Sequence, residues 1–215
     1  MAPATTRPLV TVEVWSDVQC IWCYIASARF DRAVRQLNAD VNVIHRSFQL
    51  QPDAPVEIDE QTLHERRSRF PSEQRERVFR QLREMTAAED LPYDPDRSQP
   101  TNSRLALELL HHAEVTGHRH VLTDRLFRAY FAEGRHIGHL DELISLATEA
   151  GMDPTAARLA LADHRYAAAI DRDIQRAHEM GAQGVPFYVI NSTWGISGAQ
   201  TPEAFRNALA QAANI

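Results

Sequence analysis

The sequence predicts an α/β protein whose strands lie only near its two ends, with a long helical segment inserted between them. Three observations carry this reading. A strand, a helix and a second strand follow one another within about forty residues, the pattern of a right-handed βαβ unit. Residues 55–163 then show helical periodicity with little strand signal. After Gly181 two short apolar runs and a final helix restore the mixed pattern. The 215 residues correspond to about 1.4 ordinary domains, which fits one core carrying a sizeable insertion better than two equal halves.

Leu9 to Trp15 alternates Leu and Val with Thr and Glu, a β-branched pattern that predicts a buried strand. Ser16-Asp17-Val18-Gln19 is the turn after it. From about Ile21 to Leu37 the apolar residues Ile25, Ala28, Phe30, Ala33, Val34 and Leu37 recur at helical spacing, and Asn38 and Asp40 end the helix. Val41 to Leu50 reads as the second strand, closed by Pro52-Asp53-Ala54-Pro55. Helices follow near Ser72–Glu89, Ser103–Thr116, Arg119–Glu133, Leu140–Ala150, Pro154–Ala162 and His164–Met180. Ser72 and Ser103 suit N-caps, and Gly117, Gly134 and Gly151 suit stops. Pro186–Ile190 and Trp194–Ser197 read as strands of a hairpin turned by Asn191-Ser192-Thr193. Thr201-Pro202 pairs an N-cap with Pro at the first helical position, and the last helix runs to about Ala213. The expected organisation is a core formed by residues 1–54 and 164–215, interrupted by a helical insertion over 55–163.

Composition narrows the function. Hydrophobic residues make 44% and charged residues 24%, as in ordinary globular proteins. The 23 basic and 29 acidic residues sum to −6, poor material for a nucleic-acid or polybasic membrane binder. Every basic residue is Arg, and the absence of Lys removes both a Walker-type phosphate loop and Lys Schiff-base chemistry. Glu13 interrupts the single candidate for a leader's apolar stretch, and no run reaches the roughly 18 apolar residues of a membrane span. The expected location is cytoplasmic, where a close Cys pair points to redox or metal chemistry.

The two cysteines, Cys20 and Cys23, form a C-x-x-C. Cys20 follows a strand and opens a helix, where unpaired N–H groups and the dipole favour a thiolate, so it is the expected nucleophile. On a regular helix, side chains so spaced have Cβ atoms about 5–6 Å apart, whereas a disulfide wants roughly 3.5–4.5 Å. The pair therefore closes only if Cys20 occupies the cap, and Cys23 would then resolve a mixed disulfide on Cys20. A zinc half-site is the competing reading, with His136 and His139, or His118 and His120, as the other half. Those pairs lie about a hundred residues away, and no second C-x-x-C exists. Trp22 reads either as an apolar lip over the site or as a packed aromatic, and Asp17 as a proton relay or a turn residue. His111, His112 and Arg66-Arg67-Ser68-Arg69 read as solvated faces, and Phe79, Leu82 and Met85 as core of the insertion.

Trp15-Ser16-Asp17-Val18-Gln19-Cys20-Ile21-Trp22-Cys23-Tyr24-Ile25, with Gly184-Val185-Pro186-Phe187 far downstream, resembles the DsbA family of thioredoxin-fold oxidoreductases. Within it the chain is most similar to the FrnE-like branch, described as dithiol-disulfide isomerases. Phe48-Gln49-Leu50-Gln51-Pro52-Asp53-Ala54-Pro55, Thr101-Asn102-Ser103-Arg104, Ala129-Tyr130-Phe131-Ala132-Glu133-Gly134 and Ile196-Ser197-Gly198-Ala199-Gln200 extend the match over nearly the whole chain. The resemblance implies a thioredoxin-like fold with a large helical insertion domain, and a thiol–disulfide oxidoreductase or isomerase. Cys20, Cys23 and Pro186 would be catalytic, while Val185, Trp22 and Ile21 would bind substrate, with Val185–Pro186 a cis bond. It implies no metal and no resident cofactor, with glutathione an optional co-substrate. Substrates would be protein or small-molecule thiols and disulfides, with no nucleic-acid or membrane partner, on a monomer or homodimer. Two positions depart from the branch: Ile21 replaces a usual Pro, and Ala26 a usual Gly. The alternative is a glutathione-dependent isomerase or transferase of the chromene-carboxylate isomerase or kappa type. Those families usually carry Ser in place of the nucleophilic Cys, which sets Cys20 and Cys23 against them. A binding module with vestigial cysteines is a third reading.

Overall fold

In chain order the elements of the computed structural model are β1 (Leu9–Ser16), α1 (Ile21–Arg35), β2 (Asp40–Ser47), α2 (Glu60–Ser68), α3 (Ser72–Ala87), α4 (Arg104–Val115), α5 (Arg119–Arg128), α6 (Leu140–Glu149), α7 (Pro154–Ala162), α8 (Ala167–Glu179), β3 (Phe187–Ile190), β4 (Trp194–Ser197) and α9 (Pro202–Ala213). The structure describes residues 9–68 and 71–214. Residues 1–8, read above for a leader, lie outside it, as do Arg69 and the side chains of Arg66 and Arg67. Among the described residues no helix is long and apolar enough to cross a membrane.

The four strands form one sheet in the order β2-β1-β3-β4. β1 runs parallel to β2, with Val12 opposite Val43, and antiparallel to β3, with Val12 opposite Ile190. The β3–β4 hairpin turns through Asn191 and Ser192, both in the left-handed region that such tight turns require. This is the thioredoxin-like core with an extensive helical insertion that the sequence led us to expect, every strand coming from the ends of the chain. Two compact units result: the described residues of Met1–Phe48 with Arg172–Ile215, and Gln49–Asp171.

In the first unit β1 buries both faces, which is why its alternation carries so few polar residues. Val10, Val12 and Val14 pack with Phe30 of α1 and Phe205 and Leu209 of α9. Phe205 meets the Phe30 ring edge-on at 5.5 Å and the Tyr188 ring at 4.8 Å. Trp15 packs on the opposite side with Phe48, Ala177, Phe187 and Val189. Thr201 caps α9 as expected, accepting from Ala204 N–H at 3.2 Å, with Pro202 in the first turn.

The second unit is built around α4, whose Leu107, Leu109 and Leu110 are buried and which packs on α5, α6 and α7. α2 escaped sequence reading because Glu60–Ser68 has almost no apolar periodicity; Asp59 starts it by accepting from Thr62 N–H at 2.8 Å. Pro71, not Ser72, occupies the N-cap of α3. Ser103 holds the N-cap of α4 without a side-chain bond; Asn102 Oδ1 accepts from Arg104 N–H instead, at 2.9 Å. The helix predicted over 119–133 passes into a π-helical segment at Ala129–Glu133, which Gly134 ends at φ 70°. Leu82 is buried, with Phe79 and Met85 half-buried. His112 is buried rather than solvated, its Nδ1 3.3 Å from the Tyr166 hydroxyl.

Candidate active site

β1 delivers the chain to a tight turn. Asp17 C=O accepts from Cys20 N–H at 3.0 Å, and Asp17 Oδ1 accepts from Gln19 N–H at 3.2 Å. Asp17 thus forms the turn, and its buried carboxylate adds negative charge near both thiols. Cys20 is the N-cap of α1, in extended backbone at φ −89° and ψ 109°. Its Sγ accepts from Cys23 N–H at 3.3 Å, where a Ser or Asp oxygen would ordinarily satisfy that donor. This is the cap position that the spacing argument required for the pair to close.

Both cysteines are free and nearly covered, 5% exposed for Cys20 and 3% for Cys23. Their environments pull them apart. A bond from the Cys23 thiol, aided by the Cys23 and Trp22 backbone N–H groups, lowers the Cys20 pKa below the ordinary thiol value despite burial and Asp17. Burial, then the bond and charge of Cys20, push Cys23 well above it. Cys20 is therefore the more acidic of the two thiols and Cys23 the more basic.

The Val185–Pro186 peptide bond is cis. Cys20 Sγ–H donates to Val185 C=O at 3.4 Å, and Gly198 N–H donates to Pro186 C=O at 2.9 Å, pinning the loop to the end of β4. Cys20, Cys23, Val185 and Pro186 thus converge within one unit. Ile21 is the first helical residue and half-buried. Trp22 is 43% exposed, so it is not a core aromatic. Among the described residues no group of three metal-ligating side chains includes either cysteine.

Sequence reasoning missed an ionic lattice in the same unit. Glu13, 4% exposed on β1, accepts from Arg46 Nε at 3.0 Å and from Arg176 Nη2 and Nε at 2.6 and 2.8 Å. Asp173 accepts from Arg46 Nη1 at 3.1 Å and Ser47 N–H at 2.9 Å, and its carbonyl accepts from Trp15 Nε1 at 2.8 Å. These bonds fasten α8 to β1 and β2. The one available signal was a charged residue inside a strand that carries no other charge.

The chain matches the DSBA-like thioredoxin domain over residues 11–210. It is 29% identical over 209 residues to YwbO of Bacillus subtilis, covering 93% of this chain and 96% of that protein. A probable DsbA oxidoreductase from Streptomyces coelicolor is 35% identical with a TM-score of 0.88, over 94% of this chain and 89% of that one. The cytosolic disulfide reductase DsbM of Pseudomonas aeruginosa, solved with GSH, shares the fold at 18% identity and a TM-score of 0.68, over 95% and 100% of the two chains.

Proposed function

This chain belongs to the family of DSBA-like thioredoxin domains and is a thiol–disulfide oxidoreductase; from that premise we propose that it is a cytoplasmic dithiol enzyme of the FrnE-like branch, with Cys20 as attacking and Cys23 as resolving thiol. The carrying observation is Cys20 at the helix cap, its sulfur accepting from Cys23 N–H at 3.3 Å and facing Val185 C=O at 3.4 Å.

Cys20 thiolate attacks one sulfur of a substrate disulfide; the S–S bond breaks and the departing thiolate takes up a proton. Cys23 then loses its proton and attacks Cys20 Sγ, releasing the second substrate thiol and leaving a Cys20–Cys23 disulfide. The substrate gains two electrons and the enzyme loses them; run backwards, the same steps oxidise a dithiol. Isomerisation follows when another substrate thiol, rather than Cys23, displaces Cys20. Val185 presents its backbone N–H and C=O to an extended substrate segment, and Pro186 adds no competing donor. Exposed Trp22, with Ile21 beside it, supplies apolar contact to that segment.

The FrnE-like placement rests on the motifs around Cys20 and Val185. The cytoplasmic one rests on composition and on DsbM being described as cytosolic. Glutathione is a fitting co-substrate, DsbM having been solved with GSH. We read residues 55–163 as an insertion that shapes substrate choice within the core of 1–54 and 164–215, and the compactness of Gln49–Asp171 supports that division.

The deciding experiment is capture by Cys23→Ser in cell extract. Stable mixed disulfides with proteins are expected on Cys20, reversed by a thiol reductant and absent with Cys20→Ser. Capture of glutathione alone would redirect the reading to small-molecule thiols. Trapping by Cys20→Ser and not by Cys23→Ser would reverse the two roles.

A further inference from the structure

We propose that Glu57, His136 and His139 form a binding site for a divalent transition metal of the zinc class, within the helical unit and separate from the redox cysteines. One ligand atom from each lies within 4.8 Å of the other two. Tetrahedral ligands at about 2.0–2.1 Å from zinc stand roughly 3.3 Å from one another, so the donors need to close by about 1.5 Å at most. Rotation of exposed side chains supplies that distance; Glu57 and His139 are both solvent-accessible.

The backbone beneath the three donors is held in place. Thr101 Oγ1 donates to Val56 C=O at 2.8 Å, and Asn102 Nδ2 donates to Pro52 and Ala54 C=O at 3.1 and 2.7 Å. The segment before α4 therefore pins the loop that carries Glu57. Gly138 does the same for the histidines. A Cβ there would collide with Thr101 Oγ1 and meet His136 Cε1 at 3.1 Å and Val56 Cγ1 at 3.2 Å. The absent side chain lets the histidine loop lie directly on Thr101 and Val56, which brings two segments about eighty residues apart into register.

A plain His139–Glu57 ion pair accounts for two of the three groups and leaves His136 unexplained. The His136 and His139 rings stack at 3.7 Å and 15°. The His136 ring is half-buried. Its Nδ1 carries the lone pair, accepting a long 3.3 Å bond from Gly138 N–H that a metal would replace. Two imidazole nitrogens and one carboxylate oxygen suit zinc, cobalt or nickel, and disfavour magnesium and calcium, which prefer all-oxygen sites. Three protein ligands leave a fourth position for solvent.

The test uses the full-length, untagged chain as Cys20→Ser/Cys23→Ser, so that thiolates do not compete, after stripping with a chelator. Zinc chloride is titrated by calorimetry, and cobalt(II) serves as an optical probe of ligand geometry. One equivalent should bind, with a cobalt spectrum of nitrogen and oxygen ligation. Outer-shell losses typically cost 10–100-fold in metal affinity, so His136→Ala and His139→Ala should each cost about 100-fold or more, and Glu57→Gln at least about tenfold. His120→Ala, outside the cluster, should bind as the parent does. Circular dichroism confirms that each variant is folded. Absence of saturable binding, undiminished affinity in His136→Ala, or equal loss in His120→Ala overturns the site.

Discussion

Replacing Cys23 by Ala should raise the Cys20 pKa, and replacing it by Ser should not. The Cys23 thiol supplies the largest of the influences that hold the Cys20 pKa down; the 3.3 Å bond from Cys23 N–H and the Trp22 N–H remain when it is removed. A hydrogen bond to a charged group is worth about 1.5–3 kcal/mol, and a thiol is a weak donor, so the lower end applies. At a pH below the Cys20 midpoint, about 1.4 kcal/mol is a tenfold loss of thiolate in Cys23→Ala. Serine retains a donor, and its thiolate fraction should stay within about threefold of the parent. The assay is iodoacetamide alkylation of Cys20 across pH, each curve normalised to its own alkaline plateau. Normalisation matters because a more basic thiolate is also a better nucleophile, with a Brønsted slope of about 0.4–0.5. In raw rates that slope would shrink a tenfold loss to roughly threefold or fourfold. If the Cys23→Ala curve superimposes on that of the reduced parent, or Ser moves as far as Ala, the Cys23 side chain is not what prepares Cys20.

Ile21→Pro should be tolerated at the first helical position, whose N–H has no intrahelical partner; a backbone effect of roughly 0.4–1 kcal/mol corresponds to about 10–20 mV in glutathione buffers. A shift beyond about 60 mV would mean that Ile21 sets the redox poise through solvation of the thiolate. Glu13→Ala should cost about 2–3 kcal/mol in urea unfolding at neutral pH, between surface and fully buried ion pairs, because Arg46 and Arg176 keep 30% and 40% of their side chains exposed. The Glu13 pKa is lowered in the fold, chiefly by Arg176. Its contribution is therefore present above the unfolded value of about 4.3 and lost as pH falls through the folded one; parent and variant should converge in acid, and a constant gap would refute the ionic account. Gly138→Ala should destabilise by about 1–3 kcal/mol through the collision with Thr101, and a neutral result in thermal unfolding would show that the loop yields without cost.

What could be read from the sequence was what the backbone decides within a few residues. Cys20 caps α1 through its own Cys23 N–H, three positions away, so strand, turn, cap and helix were all legible between Trp15 and Ile25. Thr201 with Pro202 was legible for the same reason. Groups whose state depends on a distant partner were not. Trp22 stays exposed or packs according to what surrounds α1, which its place in the first turn does not encode. The π-helical segment at Ala129 follows helical residues without a break; the Phe131 carbonyl there accepts from Asp94 N–H at 2.8 Å, a partner that no local pattern names. The approach of Val185 to Cys20 spans 165 residues and was reached through family resemblance, not spacing. Glu13 is the sharper case. In a strand buried on both faces an acid demands a cation, so the need was visible at position 13, yet the partners stand 33 and 163 residues away. The pairing of His136 and His139 belongs to this class too. In the sequence they stand out only as one of two His pairs that could complete a zinc site on Cys20 and Cys23, about a hundred residues away. The structure brings Glu57 beside them, an exposed carboxylate among 29 acidic residues that nothing local distinguishes from the rest.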